Sequence, residues 1–177
     1  MSVIDSKKDV ICLDTQILIW GIKGECEGGQ EQRVEQAKIF LEELGKDAAT
    51  EVHISSIVLG ELLASKKGED LENFFEDIHR MIPIDPFDAK AAYHFSRIWN
   101  QNKASGTYQA LRDEGIKRET IKLDQLIVAS AVAVGATRIY SHDESFEKIA
   151  KGFIKVSKMP RLEVQDDMQK RWEGNNG

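Results

Sequence analysis

The segment Val10-Ile11-Cys12-Leu13-Asp14-Thr15-Gln16-Ile17-Leu18-Ile19-Trp20 decides the fold. Its first four residues are apolar and rich in β-branching, and Asp14-Thr15 stops the run at once. Such a run reads as a strand buried on both faces, which places it in a parallel sheet covered by helices. The apolar pattern resumes at Ile17 as the first turns of a helix, with Asp14 or Thr15 positioned to cap it.

The same alternation continues along the chain. After a glycine-bearing loop over residues 24–29, apolar residues at 34, 37, 41 and 44 predict a helix closed by Gly45. Val52-His53-Ile54 reads as a second strand, and Ser55-Ser56 as the cap of a helix carrying Ile57, Val58, Leu59, Leu62 and Leu63, with Glu61 at its middle. An amphipathic helix is predicted over 70–80, a third strand over 81–84 and a helix over 87–100. Pro83, lacking an N–H, argues that the third strand lies at a sheet edge. Residues 101–122 are polar, with room for a short helix over 108–114. A small-residue helix over 123–134 follows, with Asp124 in its first turn. A fourth strand spans 138–141, a short helix 146–150 and a fifth strand 153–156. Strands alternating with helices call for a three-layer α/β domain, with a mostly parallel sheet of about five strands and helices on both faces. The chain shows no repeat and no linker, so residues 1–177 read as one domain, with a core at 10–164 and a polar tail at 165–177.

A chain of 177 residues with 41% hydrophobic and 31% charged residues builds its core without disulfides and is not a disordered composition. The longest apolar run, 127–135, is too short to cross a bilayer, and the N-terminus lacks an apolar signal core. Cys12 and Cys26 match no zinc or CxxC spacing. Together these features predict a reduced, cytoplasmic protein with no membrane partner. There is no P-loop, no GxGxxG after the first strand, no GxSxG elbow and no HExxH pair. Net charge is −6, but residues 1–88 carry −10 and residues 89–177 carry +4, so contacts to a polyanion are expected from the second half.

Three acids fall at telling places. Asp14 follows the first strand, Asp143 follows the fourth, and Asp124 precedes that fourth strand by one helix. Open parallel sheets gather ligands at the carboxyl ends of their strands. Glu61, early in the helix after the second strand, reaches toward the same end. Singly, Asp14 and Asp124 are ordinary helix N-terminal residues, Asp143 an ordinary turn residue and Glu61 a solvated acid. Together, convergent carboxylates repel one another, and a hard divalent cation resolves the conflict. Mg²⁺ or Mn²⁺ on oxygen ligands suggests phosphodiester hydrolysis.

Four segments carry a resemblance: residues 10–20, Ile-Ser-Ser-Ile-Val-Leu-Gly-Glu-Leu (54–62), Leu-Asp-Gln-Leu-Ile-Val-Ala-Ser-Ala (123–131) and Ile-Tyr-Ser-His-Asp-Glu-Ser-Phe (139–146). In this order they resemble PIN-domain nucleases, especially the VapC-type ribonuclease toxins. The resemblance implies a PIN-like fold. It also implies a metal site of Asp14, Glu61, Asp124 and Asp143 holding Mg²⁺ or Mn²⁺, Thr15 as a hydroxyl that orders it, and Ser141 as a small polar neighbour. The implied activity is endoribonuclease cleavage leaving 5′-phosphate and 3′-hydroxyl ends, with a small antitoxin as partner. Gln16 stands where the family often has Asn or Ser, His142 stands where it often has Asn, and residues 101–122 exceed the usual connection. Two other classes remain open: a non-catalytic binding or assembly module on the same fold, and a DNA-directed nuclease.

Basic residues Arg112, Lys117, Arg118 and Lys122 precede Asp124, and Lys148, Lys151, Lys155, Lys158 and Arg161 follow Asp143. Both sets are candidates for steering RNA phosphates, against the plainer reading of solvated surface. Trp20 and Trp99 read as core or dimer-face residues. Apolar surface on the helices around 34–44 and 71–78 predicts a homodimer.

Overall fold

The computed structural model describes residues 8–64 and 70–161; the polar tail and the core boundary at 164 lie outside them. In chain order the elements are β1 (Asp9–Leu13), α1 (Thr15–Leu18), a π-helical turn (Ile19–Lys23), α2 (Glu31–Lys46), β2 (Thr50–Ser55), α3 (Ser56–Ala64), α4 (Leu71–Met81), β3 (Ile84–Asp85), α5 (Ala89–Ala104), α6 (Thr107–Asp113), α7 (Arg118–Val134), β4 (Arg138–Tyr140), α8 (Glu144–Ala150) and β5 (Lys155–Ser157). All five strands are parallel, in the order β3-β2-β1-β4-β5, and helices cover them as a three-layer α/β domain.

Strand β1 is central because its side chains suit burial on both sides: Ile11, Cys12 and Leu13 are all buried. It pairs with β2 on one side and β4 on the other. Sequence neighbours therefore run outward from β1 to β3, and the chain then returns to lay β4 on its opposite flank. The direction of winding reverses between β1 and β4, and the backbone N–H of Asp14 donates to the carbonyl of Tyr140 there at 3.0 Å. That reversal opens a crevice at the carboxyl ends of both strands.

Several boundaries differ from the sequence reading. Gly45 lies inside α2, which runs one residue further to Lys46, with Asp47 as its C-cap. Met81 closes α4, and the third strand is only Ile84–Asp85, at the sheet edge as Pro83 predicted. The fifth strand lies at Lys155–Ser157. The 101–122 segment is largely helical: α5 extends to Ala104, α6 follows, and α7 begins at Arg118. Asp124 is therefore in the second turn of α7, not the first. Fully buried Ile121 anchors the earlier turn, while exposed Arg118, Glu119, Thr120 and Lys122 hide it from a reading of apolar periodicity.

The π-helical turn is the local feature that shapes the crevice. A Cβ at Gly21 would collide with the Leu41 side chain and press on the Ala37 carbonyl, so glycine lets α2 pack closely on this turn. Gly24, at φ 66°, ends the turn in the left-handed conformation. Among the described residues no helix is long and apolar enough to cross a membrane.

Candidate functional site

A cleft of about 600 Å³ opens at the carboxyl ends of β1 and β4. Asp14, Glu61, Asp124 and Asp143 all line it, with Thr15, Gln16, Ile19, Trp20, Glu27, Gln30, Arg33 and His142. The four acids come from four places: the β1–α1 junction, α3, α7 and the β4–α8 junction.

Hydroxyl and amide donors hold three of the carboxylates. Asp14 caps α1 through Oδ1, which accepts the Thr15 N–H at 2.7 Å, and its Oδ2 accepts the Ser141 hydroxyl at 2.7 Å. The Thr15 hydroxyl donates to Glu61 Oε2 at 2.5 Å. Asp143 caps α8, with Oδ1 accepting both the N–H and the hydroxyl of Ser145 at 2.7 Å. Ser141 is buried beneath the cleft rather than lining it; its Oγ also accepts the Asp143 N–H at 3.1 Å, so one hydroxyl ties two of the acids together. Asp124 is the exception: its Oδ2 is buried without a hydrogen-bond partner among the described residues.

The protonation chemistry follows from this crowding. Burial pushes the Asp124 carboxyl up to about 8, and the charges of Asp14, Asp143 and Glu61 push the same way. Burial pushes Asp14 up to about 6, held back by the Ser141 and Thr15 hydrogen bonds, with Glu61 and Asp143 adding to the rise. Raised carboxyls of this kind are the mark of buried acids that lack a counter-charge. As they stand, no three His, Cys, Asp or Glu side chains among the described residues lie close enough to hold a metal ion. The donor set nonetheless suits a hard divalent cation, because it is all oxygen and includes one orphaned buried carboxylate oxygen.

His142 is oriented from behind. Its Nε2 accepts the Met159 N–H at 3.2 Å, which places the ring proton on Nδ1, and the ring meets Trp20 edge-on at 5.6 Å. Burial, then Arg33 and Lys158, push the imidazole down to about 4, so it is neutral at neutral pH. Trp20 is core by burial, yet it also lines the cleft, and its indole N–H has no partner among the described residues.

The structure does not bring the predicted phosphate-binding residues to this cleft. Arg112, Lys117, Arg118, Lys122, Lys148 and Lys151 are all exposed, and none is among its lining residues. Arg112 instead donates to the Ile116 carbonyl, and Lys148 pairs with Glu114 at 2.7 Å. The cation that does line the cleft is Arg33 on α2, which the sequence reading did not single out. Its trace in the sequence is Gln36, a polar residue beside the inward Val34-Ala37-Leu41 stripe, which is buried and accepts from Arg33 Nη1 at 3.2 Å.

Comparison with known proteins identifies the fold and the family. Among curated proteins none matches the chain. A chain in the structure of VapBC2 from Rickettsia felis bound to a promoter DNA fragment superposes with a TM-score of 0.57 at 22% identity, covering 85% of this chain and 99% of that one. A chain of VapBC-1 from nontypeable Haemophilus influenzae gives 0.57 at 18% identity, covering 86% and 99%. A chain of DNA-bound VapBC from Salmonella typhimurium gives 0.53 at 21% identity, covering 86% and 99%. At these identities the likeness is one of fold. The family model of the PIN domain matches residues 11–152, from the middle of β1 to just past α8. By that match, over most of its length, the chain belongs to the PIN domain family.

Proposed function

We propose that this protein is a metal-dependent endoribonuclease and the toxin of a toxin–antitoxin pair. The observation that carries the reading is the convergence of Asp14, Glu61, Asp124 and Asp143 from four separate elements on one cleft, with Asp14 and Asp124 driven toward protonation first by burial and then by neighbouring carboxylates. A fold gains nothing in stability from such crowding, so a counter-charge that arrives with function is its physical reason. The family supports a nuclease, and the VapBC neighbours support a small protein partner.

Mg²⁺ or Mn²⁺, when held by these carboxylates, supplies charge neutralisation on the phosphate and a water activated for attack. The remaining work belongs to the chain. Thr15 fixes Glu61, Ser141 fixes Asp14, and the α8 amide end fixes Asp143, so the carboxylates meet the ligand already oriented. Neutral His142 cannot protonate a leaving group near neutral pH; it shapes the wall with Trp20. An antitoxin that brings a basic side chain into the cleft would compete with both cation and RNA.

Incubation with labelled single-stranded RNA and DNA, in Mg²⁺, in Mn²⁺ and in chelator, tests the reading. RNA cleavage in either metal and none in chelator is expected. Cleavage of DNA in preference to RNA would replace this reading with a DNA-directed nuclease, and silence on both would leave a binding module.

A further inference from the structure

The cleft presents a charge problem that its carboxylates do not solve. Five acids line it (Asp14, Glu27, Glu61, Asp124 and Asp143), and Arg33 carries the one permanent positive charge among its described lining residues. A cation on the carboxylates would offset the charge of the phosphate under attack. The neighbouring phosphates of a strand would still face an acidic wall.

Arg33 is built to meet one of them. Its side chain is exposed to the cleft, and no carboxylate among the described residues lies within ion-pair distance of it. It is therefore neither neutralised nor part of the carboxylate cluster. It is also not loose. Nη1 donates to Gln36 Oε1 at 3.2 Å, and Gln36 is buried, with Nε2 donating to the carbonyls of Met159 at 3.3 Å and Pro160 at 2.5 Å. Two carbonyls at the amide nitrogen fix which way the Gln36 amide faces, so its oxygen is committed to Arg33. One nitrogen of the guanidinium is spent on this tether and the remaining donors are available to a phosphate.

We infer that Arg33 is a phosphate-binding residue of the cleft, holding a phosphodiester of the RNA strand next to the one cleaved, and that Gln36 is its positioning residue. This rests on the ribonuclease reading for the identity of the strand, and on the tethered, unpaired guanidinium for the site.

The test is fluorescence-anisotropy binding of a labelled short single-stranded RNA, in chelator and in Ca²⁺, across a salt series. Arg33→Gln is expected to weaken binding about tenfold and to lower the slope of log K against log salt by about 0.7, the share of one phosphate on a single strand. Neutralising single linkages to methylphosphonates should identify one position whose loss weakens the wild type but not Arg33→Gln. Gln36→Met should weaken binding by a smaller factor and keep the wild-type slope, because the charge remains while its aim is lost. Equal affinity and slope in Arg33→Gln, equal loss at every methylphosphonate position, or no RNA binding by the wild type in either condition would overturn the assignment. Wild-type cleavage, measured alongside, separates the two readings. Arg33-dependent binding without cleavage removes the nuclease and keeps the phosphate site. Cleavage with a silent Arg33→Gln removes the phosphate site and keeps the nuclease.

Discussion

Replacing Asp124 by Asn should stabilise the protein at alkaline pH in the absence of divalent metal, and should remove most of the pH dependence of its melting. The folded carboxyl is pushed up to about 8 from an ordinary 3.8, first by burial. An acid with a raised folded pKa favours the folded state below its unfolded value, and that advantage is lost as pH rises through the folded value. From about pH 5 to about pH 8 the loss has a ceiling of about 4 kcal/mol, at roughly 1.4 kcal/mol per unit. The charge of Asp14, itself pushed up to about 6, contributes part of the Asp124 rise and is absent while Asp14 is protonated, and relaxation of the partly open cleft takes a further part. A net fall of roughly 2–3 kcal/mol remains, which in a domain of this size is roughly 5–10 °C of melting temperature. Asn mimics the protonated acid in shape and carries no charge, so Asp124→Asn should match the wild type near pH 5 and exceed it near pH 8 by about that margin. Thermal melts of both proteins in chelator at several pH values measure it. A wild-type melting temperature level across this range, or an Asp124→Asn protein that loses stability with pH as steeply as the wild type, would refute the reasoning. Mg²⁺ or Mn²⁺ should then raise the wild-type melting temperature at pH 8 far more than that of Asp124→Asn, since the ligand that gains most from the cation is gone.

Asp14→Asn and Asp143→Asn should each abolish metal-dependent RNA cleavage and leave the fold intact. Asn caps a helix about as well as Asp, so α1 and α8 keep their ends; circular dichroism and a cleavage assay decide, and wild-type rates in either variant would remove that residue from the metal site. Reversing Lys148, Lys151 and Lys155 to Glu should weaken RNA binding more than it slows cleavage and should flatten the salt dependence, with Lys148 contributing least because Glu114 already pairs with it; unchanged affinity and slope would leave these lysines as solvated surface. The protein should form a homodimer through α2 and α4, where Ile39, Leu71 and Met81 are exposed and the acids Glu35, Glu42, Glu43, Glu72, Glu76 and Asp77 would have to stay at the rim; light scattering at one-chain mass with no shift on dilution would reject it.

What could be read from the sequence was what short-range physics writes there. The run from Val10 to Leu13 had to be a central strand because both of its faces are apolar, and Asp14 had to end it because a carboxylate and a hydroxyl suit a helix cap. The Ser55 cap was equally legible: its hydroxyl accepts the Val58 N–H. The start of α7 was not, since its first turn is solvent-facing apart from Ile121 and so carries no apolar period. The π-helical turn was invisible for the opposite reason. Ile19, Trp20 and Ile22 are apolar at nearly every position, and a pattern without a polar face cannot report its own pitch. The four acids were legible because each adjoins an element end or an apolar face, but the upward push on Asp14 and Asp124 depends on burial that only the assembled cleft creates.

Arg33 escaped notice because nothing local marks it: it is one exposed base on an amphipathic helix with many charges. Its significance comes from packing. Gly21 lets α2 settle on the π-helical turn, which brings Arg33 over the cleft that Trp20 and Ile19 wall. The segment just past β5 then locks the arrangement, since Met159 offers its N–H to His142 and its carbonyl to Gln36. The cleft wall contributed by α2 and the last acid, Asp143, are thus tied through one backbone residue and one imidazole. This also accounts for an acidic chain reading as an RNA enzyme. On the proposed reading its basic second half would supply long-range attraction through exposed lysines, which salt screens readily. Contact would then be left to a cation on the carboxylates and to one guanidinium held at a fixed place, and neither requires the surface as a whole to be basic.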